Sequence, residues 1–194
     1  VTDIYGNSST CTSLVTVQDN VAPAAVCQNI TVQLDATGNV SIVPADVDGG
    51  STDACGIASR SIDVSSFTCA DIGPNNVTLT VTDVNGNSSS CVAVVTVQDS
   101  IPPTIACPAS IMANTDAGMC SAMVTFAMPI AFDNCNVTVA QTGGLSSGSN
   151  FPVGVNTVEY TATDDGGNTT VCSFTITVTD NEAPTMLCQN ITIQ

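Results

Sequence analysis

An internal repeat of about eighty residues constrains this chain more than any other feature. Val1-Thr2-Asp3, followed by Gly6-Asn7, recurs as Val81-Thr82-Asp83 with Gly86-Asn87, and again as Ala162-Thr163-Asp164 with Gly167-Asn168. Cys11, Cys91 and Cys172 follow the three copies at spacings of 80 and 81 residues, and Cys27, Cys107 and Cys188 close the pattern at the same spacings. Between these cysteines lie three Asp-to-Pro linkers, Gln18–Pro23, Gln98–Pro103 and Thr179–Pro184. Boundaries after Asn20, Ser100 and Asn181 divide the chain into four parts. Residues 1–20 read as the last strands of a preceding repeat and 21–100 as a first full repeat. Residues 101–181 read as a second, and 182–194 as the first strand of a following one. The expected whole is a longer tandem array.

Within each repeat the vocabulary is that of strands. Val77–Thr82, Ala93–Val97, Thr157–Ala162 and Ser173–Val178 are short, β-branched and mostly alternating, and Asp, Gly and Asn turns separate them. No segment sustains a helical apolar period. Roughly seven short strands in such a length predict an immunoglobulin-like sandwich. The fold class expected is therefore all-β, with tandem immunoglobulin-like modules in a linear array, stapled by disulfides.

Composition narrows the function. The chain carries 17 acidic side chains, one basic side chain (Arg60) and no histidine, for a net charge of -16. One cation cannot neutralise a phosphate backbone, so no nucleic-acid partner is expected, and an anionic membrane surface repels the chain. Without an imidazole, Ser-His-Asp and Cys-His catalysis are excluded within these residues. No apolar run is long enough to span a bilayer, so no membrane insertion is expected. Ten cysteines without CxxC pairs point to structural disulfides in an oxidising, extracellular or cell-surface setting rather than to zinc or redox chemistry.

The second repeat resembles the hyalin repeat (HYR) module. The resemblance runs through Ile105-Ala106-Cys107-Pro108, Phe132-Asp133-Asn134-Cys135, Ser147–Gly154, Tyr160–Asp164, Gly167-Asn168 and Cys172-Ser173-Phe174. The first repeat has no Phe-Pro-x-Gly; it reads Phe67-Thr68-Cys69, then Gly73 and Val77–Asp83. In that it resembles repeats of very large secreted surface proteins of Bacteroidetes. These resemblances imply an immunoglobulin-like fold, an extracellular site, a role in adhesion or as a stalk, and no enzymatic activity. They also imply a disulfide pattern, because the simplest HYR modules keep only the cysteines matching Cys107 and Cys172. Those two are expected to pair, and by equivalence Cys27 with Cys91. The remaining pairs are then Cys55 with Cys69 and Cys120 with Cys135. Cys11 and Cys188 have no mates in this chain and pair with neighbouring repeats or, on a rival reading, with another subunit.

The carboxylates offer the one candidate ligand site. Asp19, Asp99 and Asp180 end the last strand of each copy, just before the linker. In a sandwich, the loops facing that linker carry Asp53 and Asp83 in the first repeat, and Asp133, Asp164 and Asp165 in the second. Carboxylates converging without a basic partner repel one another unless a hard cation binds, and Ca2+ suits them. The linker also resembles the Asp-Asn-x-Ala-Pro junctions of cadherins. The competing reading makes the same residues turn caps through Asx hydrogen bonds. Asp46–Asp53 superficially suggests a calcium loop but lacks the terminal Glu of an EF-hand. Gly144–Gly148 matches Gly-x-Ser-x-Gly but has no histidine to serve it, so it reads as a small-residue loop.

Eight Asn-x-Ser/Thr sequons, at Asn7, Asn29, Asn39, Asn76, Asn87, Asn136, Asn168 and Asn190, are glycan candidates. The leading functional expectation is a non-catalytic structural segment of a secreted extracellular fibre or adhesin stalk. Its partners are neighbouring repeats, identical subunits and attached glycans. The alternative is a binding module that recognises a glycan or surface protein through its loops; a third reading is an accessory region of a large secreted enzyme.

Overall fold

The structure, a computed structural model, describes residues 1–191 and 193. It is all-β, with fourteen strands, one 3₁₀ turn at Cys69–Asp71 and no α-helix among the described residues. The chain divides into two compact units. One comprises Val1–Ile30, Ile42–Ser65 and Asn76–Val95; the other comprises Thr31–Ser41, Ser66–Asn75 and Thr96–Gln194. The division does not follow the sequence period, since two inner stretches of the first repeat cluster with the second.

In the second unit, the strands are β7 (Thr104–Ala106), β8 (Ile111–Asn114), β9 (Ser121–Val124), β10 (Ile130–Phe132), β11 (Val137–Gly143), β12 (Ser149–Pro152), β13 (Gly154–Asp164) and β14 (Thr169–Thr179). They form a four-stranded sheet, β11-β13-β14-β8, and the pairs β12-β9 and β10-β7. The β13–β14 hairpin dominates, with antiparallel register from Gly154↔Val178 to Thr163↔Thr169. Strand β8 pairs in parallel with β14, Ile111↔Ile176 to Asn114↔Thr179, which ties the beginning of the repeat to its end.

Period-two patterning places the core. Val158, Tyr160 and Ala162 of β13, and Phe174, Ile176 and Val178 of β14, all point inward and are buried. Ala122 and Val124 of β9 and Phe151 of β12 join Val158, Tyr160 and the β14 residues in one cluster. Phe126 meets Phe151 and Phe174 edge-on, with ring centroids 6.2 and 5.1 Å apart, the offset geometry that aromatic quadrupoles favour. Cys107 and Cys172 flank this cluster and are bonded to each other.

The first unit follows the same pattern. Its strand β3 (Ile57–Ile62) pairs antiparallel with β5 (Gly73–Asp83), Ile57↔Asp83 to Ile62↔Leu79, around a bulge between Ile57 and Ser59. Val77, Leu79 and Val81 of β5, and Ala93 and Val95 of β6 (Ser88–Gln98), are buried. The short pair β2 (Asn39–Ser41) and β4 (Ser66–Thr68) belongs to the second unit. The strand joining the units in sequence, β1 (Ile30–Gln33), completes the set.

Outside these sheets, residues 9–23 and 180–191 carry no strand. Leu14, Val15 and Val17 are exposed, although Val94, Val95 and Val97, at the equivalent positions of β6, are half-buried or buried. The two sequences are alike, so the ladder partner decides the state. Residues 1–20 and 182–194 read in the sequence as strands of neighbouring repeats; within the second of these segments, Thr192 and Gln194 lie outside the described residues.

Phe151 is fully buried and Met112 is exposed. In urea denaturation of the disulfide-intact chain, Phe151→Ala is expected to cost about 3–5 kcal/mol, and Met112→Ala about 0.5 kcal/mol or less. Equal midpoints for the two variants would remove Phe151 from the core.

Candidate functional site

The repeated Asp-x-x-Gly-Asn motif is a hairpin tip. In the second unit, Asp164 Oδ1 accepts from the Asn168 amide at 2.7 Å and Asp164 Oδ2 from Asn168 Nδ2 at 2.9 Å. In the first, Asp83 Oδ1 accepts from the Asn85 and Asn87 amides, both at 2.8 Å, and Asp83 Oδ2 from Asn87 Nδ2 at 2.7 Å. Asp3 and Asn7 repeat the arrangement. Gly86 and Gly167 sit at φ +92° and +87°, in the left-handed region that closes this turn. Burial raises the Asp83 pKa, but the Asn87 and Asn85 donors outweigh it and hold the carboxyl below its ordinary value.

The Asn168 and Asn87 tips also reach the linkers that open their repeats. Asn168 Nδ2 donates to the Asp99 carbonyl at 3.0 Å, and Asn87 Nδ2 donates to the Asp19 carbonyl at 3.1 Å. Three of the expected glycan acceptors, Asn7, Asn87 and Asn168, therefore use their Nδ2 as a structural donor. Asn39 donates to Thr37, and Asn136 to Asp165 at 3.4 Å. Asn29, Asn76 and Asn190 are exposed.

The anchored linker carries carboxylates toward the loops. Asp19, Asp53 and Asp83 offer oxygens that all lie within 4.8 Å of one another. Asp99 and Asp133 do the same in the second unit, with Cys135 as the third member. Asp164 and Asp165 are outside that second group, although the sequence pattern groups them with it. The turn takes both oxygens of Asp164 just as it takes both of Asp83, so these bonds do not explain the difference between the two units; exposed Asp165 holds Asn136. Like charges this close repel by about 3 kcal/mol at an effective dielectric constant of 20. The only basic side chain, Arg60, is salt-bridged to Asp48 and supplies no compensation to either group.

Asp99 is 6% exposed, and its Oδ2 has no hydrogen-bond partner. Asp133 Oδ1 and Asn134 Oδ1, on the neighbouring loop, are likewise buried and unpartnered. Asn134 Nδ2 lies 3.3 Å from Asp99 Oδ1 and 3.2 Å from the Asp35 carbonyl. Asp46 and Asp48, by contrast, are absorbed in turns: Asp46 accepts from the Val43 amide, and Asp48 from the Gly50 and Ser51 amides. Gly144–Gly148 forms a turn with no helix behind it, and Ser147 Oγ bonds the Phe126 backbone.

Cys27 is bonded to Cys91 and Cys107 to Cys172, across 64 and 65 residues of chain. The other two expected bridges are replaced by one. Cys69 is bonded to Cys135, with Cα atoms 5.6 Å apart, and Cys55 and Cys120 are exposed thiols, as are Cys11 and Cys188. Matching cysteines within each repeat could not find this bridge, because its two ends lie in different copies of the sequence period. The local cause is visible at Gly38, at φ +73°. A Cβ there would stand 2.6 Å from Cys69 Sγ and 2.7 Å from the Asn134 carbonyl oxygen, so only glycine leaves room for the bridge. Closing chain segments of 64 to 66 residues stabilises the fold by about 4 kcal/mol per bridge in the chain-entropy model.

Residues 98–178 match the HYR domain. The chain is 31% identical over 192 residues to a hyalin of Strongylocentrotus purpuratus, covering 94% of this chain and 16% of that protein. It is 38% identical over 102 residues to the rat sushi, von Willebrand factor type A, EGF and pentraxin domain-containing protein 1, covering 52% of this chain and 3% of that protein. Among solved structures it is similar to human protocadherin-24 EC1-2, at 16% identity and a TM-score of 0.40, covering 84% of this chain and 100% of that one. The HYR match and the hyalin relatives support a hyalin repeat. They do not support the Bacteroidetes setting suggested for the first repeat, since these relatives are animal proteins.

Two measurements check the cysteine chemistry. Non-reducing peptide mapping by mass spectrometry is expected to recover a Cys69–Cys135 peptide, with Cys55 and Cys120 alkylated; a Cys55–Cys69 or Cys120–Cys135 peptide would overturn that assignment. The Asp19 carboxylate favours the protonated Cys55 thiol and repels the thiolate, which raises the Cys55 pKa. Asp19→Asn is therefore expected to speed iodoacetamide labelling of Cys55 at pH 7.5 by about threefold or more. An unchanged rate means that Asp19 does not govern this thiol.

Proposed function

We propose that this chain is a repeat segment of an extracellular, adhesion-related structural protein, non-catalytic and built as a fibre or stalk. One observation carries the reading: similarity to a hyalin runs over 94% of the chain, through both sequence repeats rather than one. Residues 1–20 and 182–194 then belong to flanking repeats, and neighbouring repeats or identical subunits are the partners. Each 80-residue unit of sequence brings its own hairpin and its own strand-closing disulfide, so length grows with copy number.

The disulfides fit an oxidising extracellular setting, and among the described residues no helix is long and apolar enough to cross a membrane. With Arg60 as the only basic residue, trypsin-like proteases find almost nothing to cut. Glycans belong on the exposed sequons Asn29, Asn76 and Asn190, not on the turn asparagines whose Nδ2 is engaged. A second reading, a loop-borne binding module, draws on Phe132, which is 68% exposed beside the Asp133–Cys135 loop and offers a stacking face for a sugar or a partner protein.

Negative-stain electron microscopy of the native secreted material separates the two. A continuous thread with a regular beaded repeat is the expected result. Isolated particles, together with glycan or protein binding that Phe132→Ala abolishes, would overturn the structural reading in favour of the binding module.

A further inference from the structure

We infer that Asp99, Asp133 and Asn134 form a binding site for a hard divalent cation, Ca2+. Two independent observations converge on it. The first is proximity: oxygens of Asp99 and Asp133 approach within 4.8 Å, a separation one ion bridges when its ligand distances are about 2.3–2.6 Å. The second is dissatisfaction. Asp99 is 6% exposed, yet its Oδ2 meets no donor, and Asp133 Oδ1 and Asn134 Oδ1 are also buried without one. A buried acceptor left unpaired is costly, and Asp99 and Asp133, which each carry one, are the pair whose carboxylates approach each other; Asn134 Oδ1 lies on the residue next to Asp133.

The chemistry of the set selects the ion. All three free ligand atoms are oxygens, two anionic and one amide, which is the donor type Ca2+ takes. Softer metals lack suitable donors here. Cys135, the sulfur of the group, is bonded to Cys69 and offers no thiolate, and the chain has no histidine. Nor does the protein supply its own counter-charge, because Arg60 is committed to Asp48. Asp133 and Asn134 line a surface pocket with Ile101, Pro102, Thr104 and Phe132, and Asp99 lines a separate one with Val97, Gln98 and Gly166.

The site is held rigid by elements already described. Asn168 Nδ2 fixes the Asp99 carbonyl, and Gly166 allows the close approach, since a Cβ there would stand 2.7 Å from the Asp99 carbonyl oxygen. The Cys69–Cys135 bridge holds the loop that carries Asp133 and Asn134. Asp19 and Asp53 occupy the positions 80 residues earlier and, with Asp83, gather in the first unit.

The test is calorimetric titration of CaCl2 alone into the full, disulfide-intact chain after EDTA treatment and dialysis, with thermal melting alongside. Binding with a Kd of about 10⁻⁴–10⁻³ M and a Ca2+-dependent rise in Tm are expected. Asp99→Asn and Asp133→Asn should each remove one equivalent or weaken it about tenfold or more, while Asp165→Asn leaves it intact. Circular dichroism confirms that each variant is folded; if Asp99→Asn is not, Asp133→Asn and Asn134→Ala decide. No binding heat and no Tm shift at 10 mM Ca2+ (about ten times the weakest expected Kd), or binding unchanged in the folded variants, overturns the site. Neither result bears on whether microscopy shows a thread, so failure here is distinct from failure of the structural reading.

Discussion

Hairpin register is the constraint on which the rest depends. Asp164 clamps the tip of β13–β14 by binding the backbone and side chain of Asn168, and every pair from Thr163↔Thr169 to Gly154↔Val178 follows from that closure. A slip of one residue would turn Val158, Tyr160, Phe174 and Ile176 toward solvent and Thr157, Glu159 and Thr175 toward the core. The aromatic cluster, the parallel docking of β8 on β14 and the Cys107–Cys172 bridge all use side chains placed by this register. In a chain with 4% aromatic residues and no Trp, few large side chains remain to correct a mistake.

The same turn couples fold to site. Asn168 spends its amide on two tasks, holding Asp164 and holding the carbonyl of Asp99. The linker is thus seated by the hairpin that closes the next copy of the motif, and Asp99 is carried inward as a consequence. Asn87 does the same for Asp19. A motif repeated for turn geometry therefore delivers a carboxylate at each linker, without any residue in the turn itself being needed as a ligand in the second unit.

Much of this was legible in the residues. The alternating segments Val77–Thr82, Ala93–Val97, Thr157–Ala162 and Ser173–Val178 lie inside β5, β6, β13 and β14, because a long two-sided strand writes its period plainly. Three-residue strands such as β2, β4, β7 and β10 write no period at all; their pairing comes from what surrounds them. The Asp99–Asp133 approach could be read from strand ends and linkers. The loss of Asp164 from it could not, since an Asx turn and a metal ligand use the same residue type. Asn134 escapes a sequence reading for a related reason: its proposed role depends on an oxygen left without a donor, which only the folded chain reveals.

The Cys69–Cys135 bridge marks where repeat logic stops. Comparing copies treats each as a closed object and pairs cysteines inside it, which works for Cys27–Cys91 and Cys107–Cys172 because first and last strands meet in one sandwich. Cys69 and Cys120 have no counterparts in the other copy, and a residue without a counterpart is free to serve a contact that the period does not contain. Gly38 shows that this contact is built and not incidental. Its missing Cβ makes space for Cys69 Sγ and for the Asn134 carbonyl together, so one glycine accommodates both the bridge and the loop that bears the buried oxygens. The bridge thus anchors the Asp133–Cys135 loop beside the linker carboxylate of Asp99, where a bound cation would have two negative charges to neutralise.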